Sequence, residues 1–179
     1  MATNLADIKN LLDGLGKRYF ANDAQNMLMM PCGCAGKTIH VILSLQNEGR
    51  FLQLLSKDFN ATPKDGASSV ALFEEMLALN FETKFIKLGR DPQDGEVVGY
   101  GDSWIEDGGL TAGQLDRMVG TFVSGMAEAQ ERLEVAALTG KSTRDREFDD
   151  FLSSCVAENA ESETDASNQD LNAKSTDAT

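Results

Sequence analysis

The chain is short of the residues that most catalysis and most polyanion binding depend on. Its 179 residues include one histidine, one tryptophan, three prolines and three cysteines, and 16 basic side chains stand against 29 acidic ones. The formal charge is −13. With no cluster of Lys or Arg, nucleic acid and anionic membrane are excluded as expected partners, because both draw most of their affinity from clustered cations. The longest apolar runs, such as Val41-Ile-Leu43, fall far below the roughly 18 residues of a membrane span. The N-terminus has no basic n-region, so a cytoplasmic protein is the expectation. An odd number of cysteines, Cys32, Cys34 and Cys155, without an export signal reads as reduced thiols rather than a disulfide framework.

What is present is the composition of a soluble globular domain, 41% hydrophobic and 25% charged, long enough for one domain and a tail. From Asn4 to Phe20, Leu5, Ile8, Leu11, Leu12, Leu15 and Tyr19 recur at helical steps, with Gly14 and Gly16 weakening the second half. Met27 to Met30 reads as a short strand stopped by Pro31, and Cys32 to Gly36 as a turn. Thr38 to Leu45 alternates cleanly, with Ile39, Val41, Leu43 and Leu45 on a buried side. Asn47-Glu-Gly49 reverses the chain into a returning strand from Phe51 to Leu55, completing a hairpin.

Ser68 or Ser69 is placed to cap a helix lined by Val70, Phe73, Met76 and Leu77 and ending near Asn80. Strands over Thr83 to Leu88 and Glu96 to Ile105 flank a turn at Asp91-Pro-Gln-Asp-Gly95. Thr111-Ala-Gly-Gln114 fits a capping box, opening a helix of about six turns whose stripe runs through Leu115, Met118, Phe122, Met126 and Leu133. The spacing allows a short helix within 140–156. Residues 157–179 form a tail poor in apolar residues, with six acids against one lysine from 156 onward, of a kind that stays disordered.

The predicted fold is therefore α+β: a single antiparallel sheet of about five strands with helices packed on it, in the order α-β-β-β-α-β-β-α. That order, with Leu72 to Asn80, the Lys87-to-Val97 hairpin and Gly109-Leu-Thr-Ala-Gly-Gln-Leu115, resembles the type III secretion chaperone fold and, most closely, the YbjN family that shares it. The resemblance covers roughly Leu5 to Leu133, within a domain drawn at 1–139. It implies a domain, often dimeric in the chaperone branch, that holds or regulates another protein and has no established active site. The Cys-Gly-Cys segment and the acidic tail are departures from the family and carry over no role.

Few residues are grouped for chemistry. Cys32 and Cys34, with His40 and Cys155 as the remaining donors, fall short of the paired spacings of a structural zinc site, although a vicinal thiol pair suits redox sensing. His40 sits in an alternating strand with no nucleophile tied to it. Asp91, Asp94 and Glu96 fail the spacing of a calcium loop. Asp102, Glu106 and Asp107 precede the last helix and would complement its positive end. Cys34-Ala-Gly-Lys-Thr38 lacks the first glycine of a phosphate loop, where Pro31 stands, and opens a strand rather than a helix.

Met27, Met29 and Met30 are adaptable apolar contacts that would suit strand addition if they formed an exposed edge. Trp104, Tyr19 and Phe85 are further surface candidates. The expectation is a non-enzymatic, cofactor-free module that binds another protein, as a homodimer, through a sheet face or edge and the apolar sides of the first and last helices. Met27, Met29, Met30 and Trp104 are its partner-binding residues. The alternative is a thiol redox or metal sensor built on Cys32 and Cys34.

Overall fold

Two capping boxes set the ends of the helical layer. In the computed structural model, which describes residues 3–59, 61–63, 65–105 and 109–154, Asn4 and Asp7 exchange side-chain-to-backbone hydrogen bonds of 2.9 Å at the start of α1 (Leu5–Gly14). Thr111 and Gln114 do the same at the start of α3 (Ala112–Thr139). Each box satisfies backbone donors that a helix N-terminus leaves without partners. α1 ends before Leu15, short of Phe20, and Gly16 turns the chain with φ +65°. α3 outlasts the predicted six turns, since its 28 residues make about eight, and Gly140 ends it in the left-handed region.

The strands are β1 (Phe20–Asn22), β2 (Met27–Cys34), β3 (Lys37–Gln46), β4 (Phe51–Ser56), β5 (Ile86–Arg90) and β6 (Val97–Trp104), in one antiparallel sheet ordered β1-β2-β3-β4-β6-β5. The α+β class and single antiparallel sheet match the sequence reading. The sixth strand, β1, is three exposed residues with no alternation to announce it.

β2 does not stop at Pro31. β1 pairs only with Met27 to Met29, so Pro31 lies where β2 has no outer neighbour, and its missing N–H costs no ladder bond. Ala35 and Gly36, both at positive φ, make the two-residue turn into β3. Cys32 and Cys34, expected in a turn, are instead the last core-facing residues of β2, opposite Ile39 and Lys37.

α2 (Gly66–Glu82) is capped by Asp65, which accepts from the Ser68 N–H at 2.8 Å, rather than by Ser68 or Ser69. Asn80 lies within the helix. A fourth helix, α4 (143–154), lies within the predicted 140–156 span and begins where Ser142 and Asp145 cap each other's backbone. Cys155 and the acidic tail lie outside the described residues.

α1, α2 and α3 bury their apolar sides on one face of the sheet, with α3 reaching β2 through β5. Gly99 and Gly101 of β6 permit the close approach. A Cβ on Gly99 would lie 2.2 Å from the Met126 sulfur, and one on Gly101 would meet Phe85 and Phe122. Among the described residues, no helix packs on the opposite face of the sheet.

Candidate functional site: the open sheet face and the α2 ridge

Alternation along each strand sends every second side chain away from the helices, and the pairing register lines these outward residues into rows. One row crosses all six strands: Phe20 opposite Met29, Met29 opposite Ile42, Ile42 opposite Leu55, Leu55 opposite Tyr100, and Tyr100 opposite Lys87. Five of its six residues are apolar or aromatic. Phe20 is 66% exposed and Met29 40%, whereas Ile42, Leu55 and Tyr100 are half-buried by their neighbours. Phe20, Met27, Met29 and Ile42 line a hollow of about 270 Å³ at the β1 end.

A second row is polar. Met27 faces Ser44, Ser44 faces Gln53, and Gln53 faces Asp102. The Gln53 amide donates to Asp102 at 3.0 Å, and Gln46 donates to Gln53 at 3.0 Å. A third pairing places Phe51 beside Trp104, with ring centroids 4.9 Å apart. Asp102 thus belongs to the sheet face, bonded to Gln53 and 3.7 Å from the Lys87 ammonium, rather than to the α3 N-terminus. Glu106 and Asp107 lie outside the described residues.

Of the predicted contact residues, Met27, Met29 and Trp104 share this face. Met30 points the other way and is 1% exposed, so it belongs to the core. The methionine run is not the edge either, because β1 covers it. At the far side of the sheet the outer edge of β5 is occupied by a side chain. The Asn80 carboxamide accepts from the Leu88 N–H at 2.6 Å and donates to the Leu88 carbonyl at 3.1 Å, standing in for a neighbouring strand. Tyr19 and Phe85 pack partly against the core.

The apolar sides of α1 and α3 are spent on the core, contrary to their predicted role at the surface. The exposed apolar helix face is on α2. Ala71, Leu72, Met76 and Leu79 turn inward, while Val70, Phe73, Leu77 and Phe81 form an outward ridge in which Phe81 is 92% exposed. The sequence groups Val70, Phe73 and Leu77 with Met76 on one side of the helix, whereas in the structure only Met76 of these four is buried. Apolar residues surround this helix, so periodicity alone cannot choose its buried side. Leu77 and Phe81 also border a groove of about 1010 Å³ toward the start of α4, where Glu74, Glu82 and Glu128 face Arg132 and Arg144.

That groove has a charged floor. The Glu75 carboxylate, 1% exposed, accepts from the Arg132 Nε–H, from the Thr143 N–H at 2.6 Å and from the Thr143 hydroxyl at 3.0 Å. Arg132 also holds Glu82 and Glu128. Hydrogen bonding to Glu82 and Glu75 raises the Arg132 pKa against the opposing effect of burial, and the Arg132 hydrogen bond lowers that of Glu82. The cluster ties α2, α3 and the start of α4 together.

The remaining chemical candidates are dispersed. His40 places Nδ1 3.1 Å from both Asp58 oxygens, and the Ser56 hydroxyl donates to Asp58 rather than to His40, so no nucleophile sits on the imidazole. Asp91 and Asp94 accept backbone N–H groups within their turn. Cys32 and Cys34 are half-buried free thiols, and burial raises the Cys32 pKa despite the nearby Lys17. Among the described residues no group of three or more His, Cys, Asp or Glu is placed to hold a metal ion, and no helix is long and apolar enough to cross a membrane.

A six-stranded antiparallel sheet with the described helices on one face is an α+β fold of the type III secretion chaperone-like class. Residues 4–135 match the family model YbjN, described as "Putative bacterial sensory transduction regulator", and the chain belongs to that family. Among solved structures it is similar to YbjN from E. coli, "a putative transcription regulator", at 17% identity and a TM-score of 0.57, over 76% of this chain and 94% of that one. It is also similar to a chain of the HopA1–SchA chaperone–effector complex, at 16% identity and a TM-score of 0.51, over 72% of this chain and 98% of that one. No curated protein matches it by sequence.

Proposed function

We propose that this protein is a non-enzymatic, cytoplasmic binding module that regulates or escorts another protein by holding an apolar segment of it on the open sheet face. The observation that carries this reading is the row from Phe20 to Tyr100, which sets five apolar or aromatic side chains side by side on a face that no helix among the described residues covers. The polar row alongside it supplies directional groups at the rim, and Phe51 with Trp104 supplies a rigid aromatic anchor. Membership of a family described as regulatory, and a fold shared with a chaperone–effector complex, agree with this use.

The second part of the reading is a homodimer formed through the α2 ridge. Val70, Phe73, Leu77 and Phe81 make an apolar strip rimmed by Glu74 and Glu82, and a patch of that kind marks a protein contact. Two copies related by a two-fold axis would bury it in an isologous contact.

The two surfaces are tested separately. Ile42→Lys places a charge in the middle of the sheet row without touching the core. It should abolish retention of proteins captured from the native organism while leaving the mass in solution unchanged. Phe81→Asp should convert a dimer to a monomer by sedimentation equilibrium while leaving capture in place. Equal capture by wild type and Ile42→Lys would remove the sheet face from the mechanism. A wild type that sediments as a monomer would remove the dimer.

A further inference from the structure

Cys32 and Cys34 occupy alternate positions on one strand, so both thiols project from the same, core-facing side of β2, beside the Met30 thioether in the same row. The hairpin fixes their spacing. Both residues are paired with β3, and the Ala35–Gly36 turn follows at once, holding this segment extended. Residues two apart on a strand have Cα and Cβ atoms about 6.6 Å apart. A disulfide needs Cβ atoms within about 4.5 Å, so the pair cannot close one without unpairing the end of the hairpin.

Two sulfurs bound to opposite sides of one metal ion span a larger gap. With metal–sulfur bonds of about 2.3 Å, they stand about 4.6 Å apart, a separation that rotation about the two Cα–Cβ bonds brings within reach from this spacing. Among the described residues, no further donors for a four-coordinate ion are grouped with them. His40 lies opposite Pro31 on the outward face of β3, so it is separated from both thiols by the sheet itself. What remains is a two-sulfur site, partly open to solvent and backed by apolar residues and a thioether. That donor set selects soft d¹⁰ cations over zinc, calcium or magnesium.

We propose that Cys32 and Cys34 form a two-coordinate binding site for a soft monovalent cation, with Cu(I) as its chemical type. On binding, each thiol gives its proton to the buffer and two Cu–S bonds replace two S–H bonds. The copper stays Cu(I) throughout, so no oxidant or reductant is consumed. The site is independent of the sheet face and the α2 ridge, and its failure would leave the binding reading intact.

The test is an anaerobic titration of the full, reduced chain carrying Cys155→Ser, using Cu(I) in competition with the colorimetric chelator bicinchoninate. One Cu(I) per chain should be withdrawn from the chelator, with loss of both thiols to a thiol-reactive dye. Adding either Cys32→Ser or Cys34→Ser should abolish the withdrawal, with an unchanged far-ultraviolet circular dichroism spectrum showing that the fold persists. Copper binding that survives either substitution would overturn the proposal, as would no withdrawal by the parent chain. A diamide arm tests the spacing: the parent should keep its reduced mass, and ready formation of a Cys32–Cys34 disulfide would refute the geometry. A zinc arm tests the choice of ion, since zinc retained as tightly as Cu(I) through the same two residues would count against a two-coordinate site.

Discussion

Arg132→Met removes the cation that faces the Glu75 carboxylate and leaves the rest of the cluster in place. Glu75 is 1% exposed, and its other partners are the N–H and hydroxyl of Thr143, two neutral donors. Breaking a buried ion pair from one side costs about 3–5 kcal/mol, most of it the penalty of an uncompensated buried charge. Glu82 and Glu128 lose the same partner but are exposed, and pairs of that kind contribute at most about 1 kcal/mol. The buried contact therefore dominates, and the expected loss is about 3–5 kcal/mol, or roughly 6–20 °C in Tm for a chain of this size. Urea titration followed by far-ultraviolet circular dichroism measures it. The companion variant Glu75→Gln/Arg132→Met removes both charges while a carboxamide oxygen still accepts from Thr143, and it should recover most of the loss. A single variant within about 1 kcal/mol of wild type would refute the account, since that is the range of an exposed pair. So would a double variant no more stable than the single one.

Gly99→Ala should cost about 1–3 kcal/mol by overpacking, because the added Cβ meets the Met126 sulfur, and Met126→Val should restore part of it in the same denaturation assay. Asn80→Leu should strip both Leu88 backbone hydrogen bonds and uncover the β5 edge, giving concentration-dependent light scattering along with lower stability. Because the Arg132 hydrogen bond lowers the Glu82 pKa in the folded state, the stability it adds is present above the ordinary glutamate value of 4.5 and is lost as pH falls through the lowered one. The stability difference between wild type and Glu82→Gln should accordingly be full at neutral pH and vanish on acidification. A difference that grows toward acid would invert the assigned sign.

The parts of this fold legible in the sequence are those fixed by local chemistry. The Thr111–Gln114 box, the β3 alternation and the Asp91–Gly95 turn each specify their conformation within a few residues. The pairing of β4 with β6, by contrast, joins Phe51 to Trp104 across the whole of α2 and β5, and no local pattern encodes it. Pro31 reads as a stop because a proline in a central strand costs a ladder bond, and only the short reach of β1 makes it harmless. The open-face row is equally invisible to local pattern. Phe20, Met29, Ile42, Leu55 and Tyr100 are scattered over 81 residues, counted from 20 to 100, and become neighbours only through register. The α2 ridge carried a readable signal, an excess of apolar residues for a helix needing only one buried side, but nothing to say which side was spare. Asn80 has the local signature of a helix end, and its pairing with Leu88 is a tertiary contact that no local pattern announces.

The Asn80–Leu88 pairing also gives the sheet a direction. Growth of a sheet into an open-ended filament requires two receptive edges, so that each added molecule recreates the template it joined. Here the β5 edge is taken by a side chain of the same molecule, while at the other edge, among the described residues, no strand lies on the outer side of β1 or of the Met30–Cys34 stretch of β2. A molecule with one receptive edge can pair with a copy of itself only once, edge to edge, and the pair then offers no further strand to extend. A single carboxamide thus separates a sheet that can double once, edge to edge, from one that extends strand by strand without end.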